Sequence, residues 1–547
     1  MIDKIKIENF KCINGSFILN LKSGINILVG NNEAGKSTIL EAIHLALSGI
    51  FRGKPIRGNL TQYLFNYDIV NEYLESISNG SPIEPPHILI ELYLKGDYPL
   101  LEGDKFTEKT NVGKVCGIGM KISLDEKYQE EYDSLISTGD LSSLPIEYYD
   151  VEWYSFARKA LTNRSIPIKS SFIDVGISKF QNGSDIYISR IVQNVLETEE
   201  KTKVAQAYRK VKETFSKDSS IADINSKITD ITKLSNKKIE LTVDLGSRST
   251  WDGSLITQLN NIPFDFIGKG EQAVIKTDLA LSNKKAETSS VILIEEPECH
   301  ISHTRLNQLL KSIKDNYEDK QIIISTHSSF VSNKLGLDNL ILLNQQKTTR
   351  FDELESKDFF EKIAGYDTLR LILCRKAILV EGDSDELILQ RAYMDTHEGK
   401  LPIEDGVEII SVGTSFLRFL EIAEKLDLPV SVVTDNDGDI EALEQKYADY
   451  IGAKKKNNIE ICYDKNIYTG TLMLGKAKTK PFNYNTLEPL ILKANSLETL
   501  NAIFDTTYDT EDELHKYMKL HKTDCALQIF SSNKEIEYPG YIKEAIS

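Results

Sequence analysis

Near the start of the chain an apolar run, Ile25-Asn26-Ile27-Leu28-Val29, stops at a glycine loop, Gly30-Asn31-Asn32-Glu33-Ala34-Gly35-Lys36-Ser37-Thr38. Beyond it Ile39, Leu40, Ile43, Leu45 and Leu47 recur at helical spacing. Strand, glycine loop and helix in that order leave few folds open; they call for an α/β sheet with the loop at its carboxyl edge. Glycines let backbone N–H groups close on phosphate oxygens, Lys36 neutralises the terminal phosphates, and Ser37 ligates magnesium. The segment reads as a nucleotide-binding loop, with Asn31, Gly35, Lys36, Ser37 and Thr38 as its cofactor-binding residues.

A chain of 547 residues exceeds one ordinary domain, and its 41% hydrophobic and 27% charged residues describe a globular protein. No apolar run approaches the ~20 residues of a spanning helix, and the first ten residues alternate like a strand rather than a signal peptide. The expectation is a cytoplasmic protein with no membrane partner. Six cysteines lie far apart with no C-x-x-C pair, which suggests neither disulfides nor zinc. A net charge of -17 argues against a sequence-blind DNA coat, though not against a local basic surface. Lys454-Lys455-Lys456 is a candidate for one, or an ordinary solvated loop.

Strand patterns continue at Ile88–Leu94, Lys121–Leu124, Val151–Ser155 and Ser171–Val175. From about Ser184 to Asn236 the chain turns Lys/Glu-rich and helical, as a solvated hairpin or a surface for self-association. Strand character returns at Lys238–Val243. Fully apolar runs at Val291–Ile294 and Ile322–Ile324 fit strands buried on both faces. After the polar stretch Asn344–Lys357, strands at Ala377–Val380, Val407–Val412 and Val430–Val433 alternate with helices at Asp385–Tyr393 and Ser415–Leu426, which implies a second parallel-sheet domain.

Glu295 and Glu296 end the first buried run, at the sheet edge where α/β ligands bind. Glu295 can take a magnesium-bound water and Glu296 can polarise the attacking water. His327, after the next strand, is placed to contact the γ-phosphate, and Gly268-Lys269-Gly270-Glu271-Gln272 opens a helix as an anion site. These elements resemble the ABC-type ATPases of the SMC and recombination-mediator kind, with Asn9-Phe10-Lys11 matching their N-terminal signal. The resemblance implies ATP sandwiched between two heads, with Gly270 and Gln272 facing the partner's loop. Lys269 departs from that signature where a serine is usual, which implies slow hydrolysis.

A second acidic set lies downstream: Glu381 and Asp385 across a strand-to-helix turn, and Asp435 with Asp437 alternating at the end of a strand. Four such acids repel unless a divalent cation binds between them. With glycine after Glu381, the pattern looks like a Toprim domain. Thr486-Leu487-Glu488 and the segment His521-Lys522-Thr523-Asp524 narrow the resemblance to the OLD (overcoming lysogenization defect) nucleases, over essentially the whole chain.

That resemblance implies an α/β architecture: an ABC-type ATPase head over 1–183 and 237–372, a helical dimerisation insert over 184–236, and a Rossmann-like Toprim domain over 373–547. It implies two magnesium or manganese ions, one among Glu381, Asp385 and Glu488, the other at Asp435 and Asp437, with Thr486 at the metal site where that family has a serine and Lys522 stabilising the reacting phosphate or leaving oxygen. It further implies an ATP-regulated DNA endonuclease or nickase in anti-phage defence, acting as a homodimer or higher homo-oligomer, with a helicase or a reverse-transcribed DNA element as partner. The rival readings are a topoisomerase, for which no tyrosine-bearing domain remains, and a nucleotide-sensing interaction protein with an inactive Toprim.

Overall fold

The computed structural model describes the chain apart from residues 53, 109–112, 138–140, 163–164, 175–179, 182–183, 186–195, 197, 232–257, 282–289, 317–318, 345, 352–354, 363–367 and 475–479. The described residues form two compact units, one of Met1–Thr326 with Leu343–Thr348, the other of His327–Leu342 with Thr349–Ser547. Among them no helix is long and apolar enough to cross a membrane.

The first unit contains two kinds of sheet. An antiparallel one runs Ser16–Asn20, Ile2–Glu8, Ile88–Leu94, Val115–Leu124, with Tyr149–Ser155 also paired to Val115–Leu124. Ile88–Leu94 is buried along its whole length, so Glu91 enters the interior and is held there by Tyr93 Oη at 2.9 Å and the Thr107 backbone N–H. In the parallel sheet, Ser170–Asp174, Val291–Glu295, Gln321–Ser325 and Ile25–Gly30 lie side by side. Gln321–Ser325 is wholly buried, and in Val291–Glu295 only the final glutamate is not, the burial expected of strands covered on both faces.

Register places Asp174 opposite Glu295 and Glu295 opposite Ser325, so three polar strand ends meet at one edge. Helix Lys36–Ser48 rises from the loop after Ile25–Gly30. Gly35 begins it at φ 95°, a left-handed conformation that a side chain would strain.

Helices Thr198–Ser216 and Ser219–Ile231 occupy the segment read as a helical insert, of which 186–195, 197 and 232–236 lie outside the described residues, as does the strand expected at Lys238–Val243.

In the second unit four parallel strands run in the order Val407–Ser411, Lys376–Val380, Val430–Val433, Ile459–Cys462. Lys376–Val380 comes first in sequence yet lies inside the sheet; its successor joins one side and the next strand joins the other. Connections therefore diverge beyond the carboxyl ends of Lys376–Val380 and Val430–Val433, which is the crevice where open α/β sheets bind ligands. The core beneath joins Ile378, Val380 and Val433 to Leu490, Ile491, Ile529 and Ile542 from the surrounding helices.

Arg391, 9% exposed, fixes one of these helices against another. Its guanidinium donates to the carbonyls of Ile529 (2.9 Å) and Phe530 (3.2 Å) at the end of helix Lys522–Ser531, and to Lys534 O (3.2 Å) beyond it. The guanidinium also pairs with Asp395 at 2.8 Å. Helix Asp383–Thr396, which carries Arg391, thereby sets the position of the helix that begins at Lys522.

On the antiparallel sheet, a hydrogen bond from His87 and the ammonium of Lys6 at 2.7 Å outweigh burial and hold Glu8 at a pKa of about 2. A depressed carboxylate stabilises the fold above its ordinary value near 4.5, and that contribution is lost as pH falls toward 2. Unscreened, the shift would correspond to about 3 kcal/mol, and solvent screening of this half-buried pair reduces it to on the order of 1–2 kcal/mol. Glu8→Gln is therefore expected to lower the unfolding temperature at neutral pH, with the gap closing as pH falls from about 5 to about 2; a pH-independent gap in scanning calorimetry would refute the linkage.

Candidate functional site

At the carboxyl edge of the first unit's parallel sheet, the loop folds around its own lysine. Lys36 is buried, and its Nζ donates to Gly30 O at 2.8 Å and to Asn31 O at 3.0 Å, while the Asn31 side chain is exposed. Burial lowers the Lys36 pKa, opposed by the negative field of Glu296, Glu295 and Glu298. Burial in turn raises Glu295 to about 7; a hydrogen bond with Ser37 pulls it down, and Asp174, Glu41 and Glu296 push it up. Ser37 and Glu295, read independently as magnesium-facing, are thus in contact. Their hard oxygens beside a buried ammonium fit a magnesium–nucleotide.

Glu296 adopts φ 43°, which turns it out of line with the strand; its backbone N–H donates to Ser325 O at 3.0 Å and its carboxylate accepts from Cys299 Sγ at 3.1 Å. Thr38 is buried, its hydroxyl 3.2 Å from Cys12 Sγ. The Ser325 hydroxyl is buried at the same strand end without a hydrogen-bond partner among the described residues. Asp174 was not singled out in the sequence; its register with Glu295 was the missing signal.

Gly270 and Gln272 have local work. A Cβ at Gly270 would lie 2.6 Å from His300 O, so the close approach of helix Lys269–Leu281 requires glycine there. Gln272 is buried, its amide donating to Phe264 O and Ile267 O, both at 2.8 Å. Lys269 is exposed. His327 is exposed too and begins the second unit, directly after Thr326.

The second site lies at the crevice of the second unit's sheet. Glu381 follows strand Lys376–Val380 and is exposed; Asp385 sits in the first turn of helix Asp383–Thr396, its carboxylate accepting from the Gly382 N–H at 3.1 Å. Burial raises Asp385 to about 6, with Glu488 and Glu381 adding to the effect against that hydrogen bond. Asp435 is raised well above the ordinary carboxylate value, first by burial and then by Asp385, Glu488, Asp437 and Glu381. Five carboxylates from four segments therefore feel one another at one edge.

Asp435 and Asp437 do not alternate along a strand as expected. The strand ends at Val433, and the two acids lie on a turn in which Asp437 takes φ 49°. Asn436, between them, is buried and donates to Asp464 O (2.6 Å) and Asn466 O (2.9 Å), while Asn483 donates to Asp437 Oδ1 at 2.9 Å. These distant partners bend the chain after Val433.

Glu488 lies in the first turn of helix Leu487–Ala494 and is buried; Lys522 reaches it at 2.8 Å and 3.1 Å, and Thr486 Oγ1 lies 3.3 Å from it. Burial works against the Lys522 charge, but the bond to Glu488 and the field of Glu488, Asp435 and Asp385 prevail and raise its pKa. Among the described residues no three His, Cys, Asp or Glu side chains stand as a closed metal cage. The donor chemistry nevertheless fits a divalent cation: every candidate ligand is a carboxylate or hydroxyl oxygen, and the mutual repulsion at Asp435 is what such a charge relieves.

Residues 1–331 match the AAA ATPase domain, and residues 372–437 match the TOPRIM domain of overcoming lysogenization defect protein-like proteins. An OLD nuclease of Thermus scotoductus is 23% identical over 477 residues, covering 80% of this chain and 82% of its own. A DNA double-strand break repair Rad50 ATPase of Methanopyrus kandleri is 53% identical over 47 residues, covering 9% of this chain and 5% of its own. Among solved structures, an SMC head domain from Thermotoga maritima is 13% identical with a TM-score of 0.29, covering 64% of this chain and 98% of that one. A Pyrococcus furiosus Smc head domain with an extended coiled coil, bound to the C-terminal domain of ScpA, is 13% identical with a TM-score of 0.33, covering 66% and 99%. The chain belongs to the AAA ATPase-domain family and joins that domain to an OLD-like Toprim domain, the organisation of an OLD-family enzyme that pairs an ATPase with a Toprim nuclease domain.

Proposed function

We propose that the protein is an ATP-regulated, divalent-metal-dependent DNA endonuclease or nickase of prokaryotic anti-phage defence, acting in the cytoplasm. The observation that carries this reading is the set Glu381, Asp385, Asp435, Asp437 and Glu488 at the sheet's switch point, with Lys522 bonded to one of them. Magnesium or manganese, bound as a pair among these acids and Thr486, would supply an activated water and neutralise the leaving oxygen. Glu381, Asp385 and Glu488 would hold one ion, and Asp435 with Asp437 the other. Lys522 carries a fixed positive charge at the mouth, suited to a phosphate oxygen once Glu488 has another partner.

In the first unit Lys36, Asn31, Gly35 and Thr38 hold the nucleotide, Ser37 and Glu295 face its magnesium, and Glu296 orients water. Gly270 and Gln272 face the partner's loop when two heads meet. Val211, Phe215 and Ile224, exposed apolar side chains on the helical insert, support a homodimer through that segment. Light scattering with and without ATP checks it, and a monomer under both conditions speaks against it.

Nicking of supercoiled plasmid with magnesium or manganese tests the assignment. Wild type is expected to cut and Asp435→Ala to leave the plasmid intact; equal nicking by both ends the nuclease reading. The Lys522–Glu488 pair favours a second reading, in which a partner such as a helicase or a reverse-transcribed DNA element activates a Toprim site otherwise held closed. That reading requires wild type alone to be inert and Lys522→Met to alter the metal requirement.

A further inference from the structure

The segment from Tyr463 to Asn485 holds Lys465, Lys476, Lys478 and Lys480 against a single acid, Asp464, in a chain whose net charge is -17. Tyr463, Tyr468, Phe482 and Tyr484 are spread among the lysines. Met473–Leu474 pairs antiparallel with Lys480–Pro481, so the middle of the segment is a hairpin; Lys476 and Lys478 lie outside the described residues.

Its base is fastened to the acidic turn of the Toprim crevice from both sides. The Asn436 amide holds the carbonyls of Asp464 and Asn466 on the outgoing arm, and Asn483 on the returning arm holds Asp437. Asn485 then closes the loop on itself, accepting from Tyr468 N at 2.6 Å and donating to Tyr468 O at 2.9 Å. Tyr484 Oη accepts from Leu472 N at 3.2 Å. Beneath, Lys493 Nζ lies 3.2 Å from the Tyr468 ring centre, and Phe482 packs on His515 at 5.1 Å. The aromatic side chains thus brace the two described arms of the segment.

The charges on those arms are free to act outward. Lys465 and Lys480 are exposed, and neither has a carboxylate partner among the described residues. Ile467 and Met473 stand beside them, 51% and 39% exposed. The cluster Lys454-Lys455-Lys456 behaves otherwise. Lys454 pairs with Asp449 at 2.6 Å, Lys455 with Glu460 at 3.6 Å and Lys456 with Glu424 at 2.5 Å, so its positive field is largely cancelled. A polyanion approaching an acidic protein needs uncompensated local cations, and the hairpin offers them next to Asp435 and Asp437.

We infer that the described arms 463–474 and 480–485 are the grip of the Toprim unit on duplex DNA, with Lys465 and Lys480 taking backbone phosphates and the ties from Asn436 and Asn483 holding the bound backbone in register with the carboxylates. This rests on the nuclease reading for its choice of polyanion. Phosphate contacts position without reading sequence, so the grip sets where along the backbone the crevice lands rather than which bases are chosen.

The test is fluorescence anisotropy of a labelled DNA duplex with the full-length protein, in calcium rather than magnesium, over a salt series. Lys465→Ala/Lys480→Ala is expected to weaken binding about tenfold at low salt and to make the slope of log Kd against log salt shallower by about 2, one for each lost phosphate contact. Its unfolding temperature and ATP binding should match wild type, and Lys454→Ala/Lys456→Ala should bind as wild type does. An unchanged slope and affinity, an equal loss in the Lys454/Lys456 control, or no duplex binding by wild type would each overturn the inference. Asp435→Ala plasmid assays run in parallel separate the two readings. Asp435-dependent cutting with hairpin-independent binding removes the grip alone, whereas hairpin-dependent binding without Asp435-dependent cutting removes the nuclease assignment and leaves the grip.

Discussion

Asp435→Asn is expected to abolish plasmid cleavage, by about a thousandfold or more, and at the same time to raise the unfolding temperature of the metal-free protein. Both effects follow from where Asp435 sits. Burial and four neighbouring acids raise its pKa, so the folded state keeps a proton that the unfolded chain has released. Stability then falls as pH rises from the ordinary carboxylate value toward the raised one, so at neutral pH the wild type bears a penalty that an uncharged side chain would not. Asparagine keeps the shape and removes the charge. Magnesium should reverse the order, because a ligand that binds only the folded state stabilises it by mass action, and wild type has more to bind with than the variant. Calorimetry in chelator and in magnesium, beside the nicking assay, reads all three effects. A variant that nicks at the wild-type rate, or melts below wild type in chelator, contradicts the account.

Lys36→Ala is expected to lower ATP affinity by about ten- to a hundredfold or more, since a charged hydrogen bond is worth ~1.5–3 kcal/mol and Lys36 can offer several. Removing it also strips a buried ammonium from beside Glu295, Glu296 and Glu298, so the Glu295 pKa should climb above about 7. Titration calorimetry with ATP gives the affinity, and wild-type binding by the variant would dismiss the loop as the nucleotide site. The same variant in the nicking assay decides regulation. If ATP changes the wild-type rate in either direction and leaves Lys36→Ala unmoved, the first unit controls the second.

Local signals in the sequence carried well into three dimensions. Val291–Glu295 and Gln321–Ser325 announced themselves by apolar runs because burial on both faces leaves no polar alternation. Gly30 to Ser37, and the turn from Glu381 to Asp385, are short enough for spacing alone to set their geometry. What the sequence hid depended on partners far along the chain. Asp435 and Asp437 looked like strand residues because nothing near them reports that Asn436 is captured by the carbonyls of Asp464 and Asn466. Lys454 to Lys456 looked free because Glu424, which pairs with Lys456, is 32 positions away. Gln272 was read from its motif alone, and nothing in that motif announces that its amide donates to Phe264 and Ile267, partners set by packing.

The Arg391 clamp has a consequence for how the Toprim unit fails. Lys522 is held near Glu488 only while its helix stays docked, and that docking rests on the buried side chains of Cys525, Ala526 and Ile529 together with one guanidinium shared among the carbonyls of Ile529, Phe530 and Lys534. Lifting this helix exposes far less apolar surface than melting the four-stranded sheet, so it belongs to a lower rung of local opening. Amide exchange across Lys522–Ser531 should therefore outpace exchange in Lys376–Val380, and damage or heat disarms the protein before it unfolds. A molecule built this way goes quiet early: the Lys522 ammonium is the first piece to drift away, while the sheet that carries the acids is still intact.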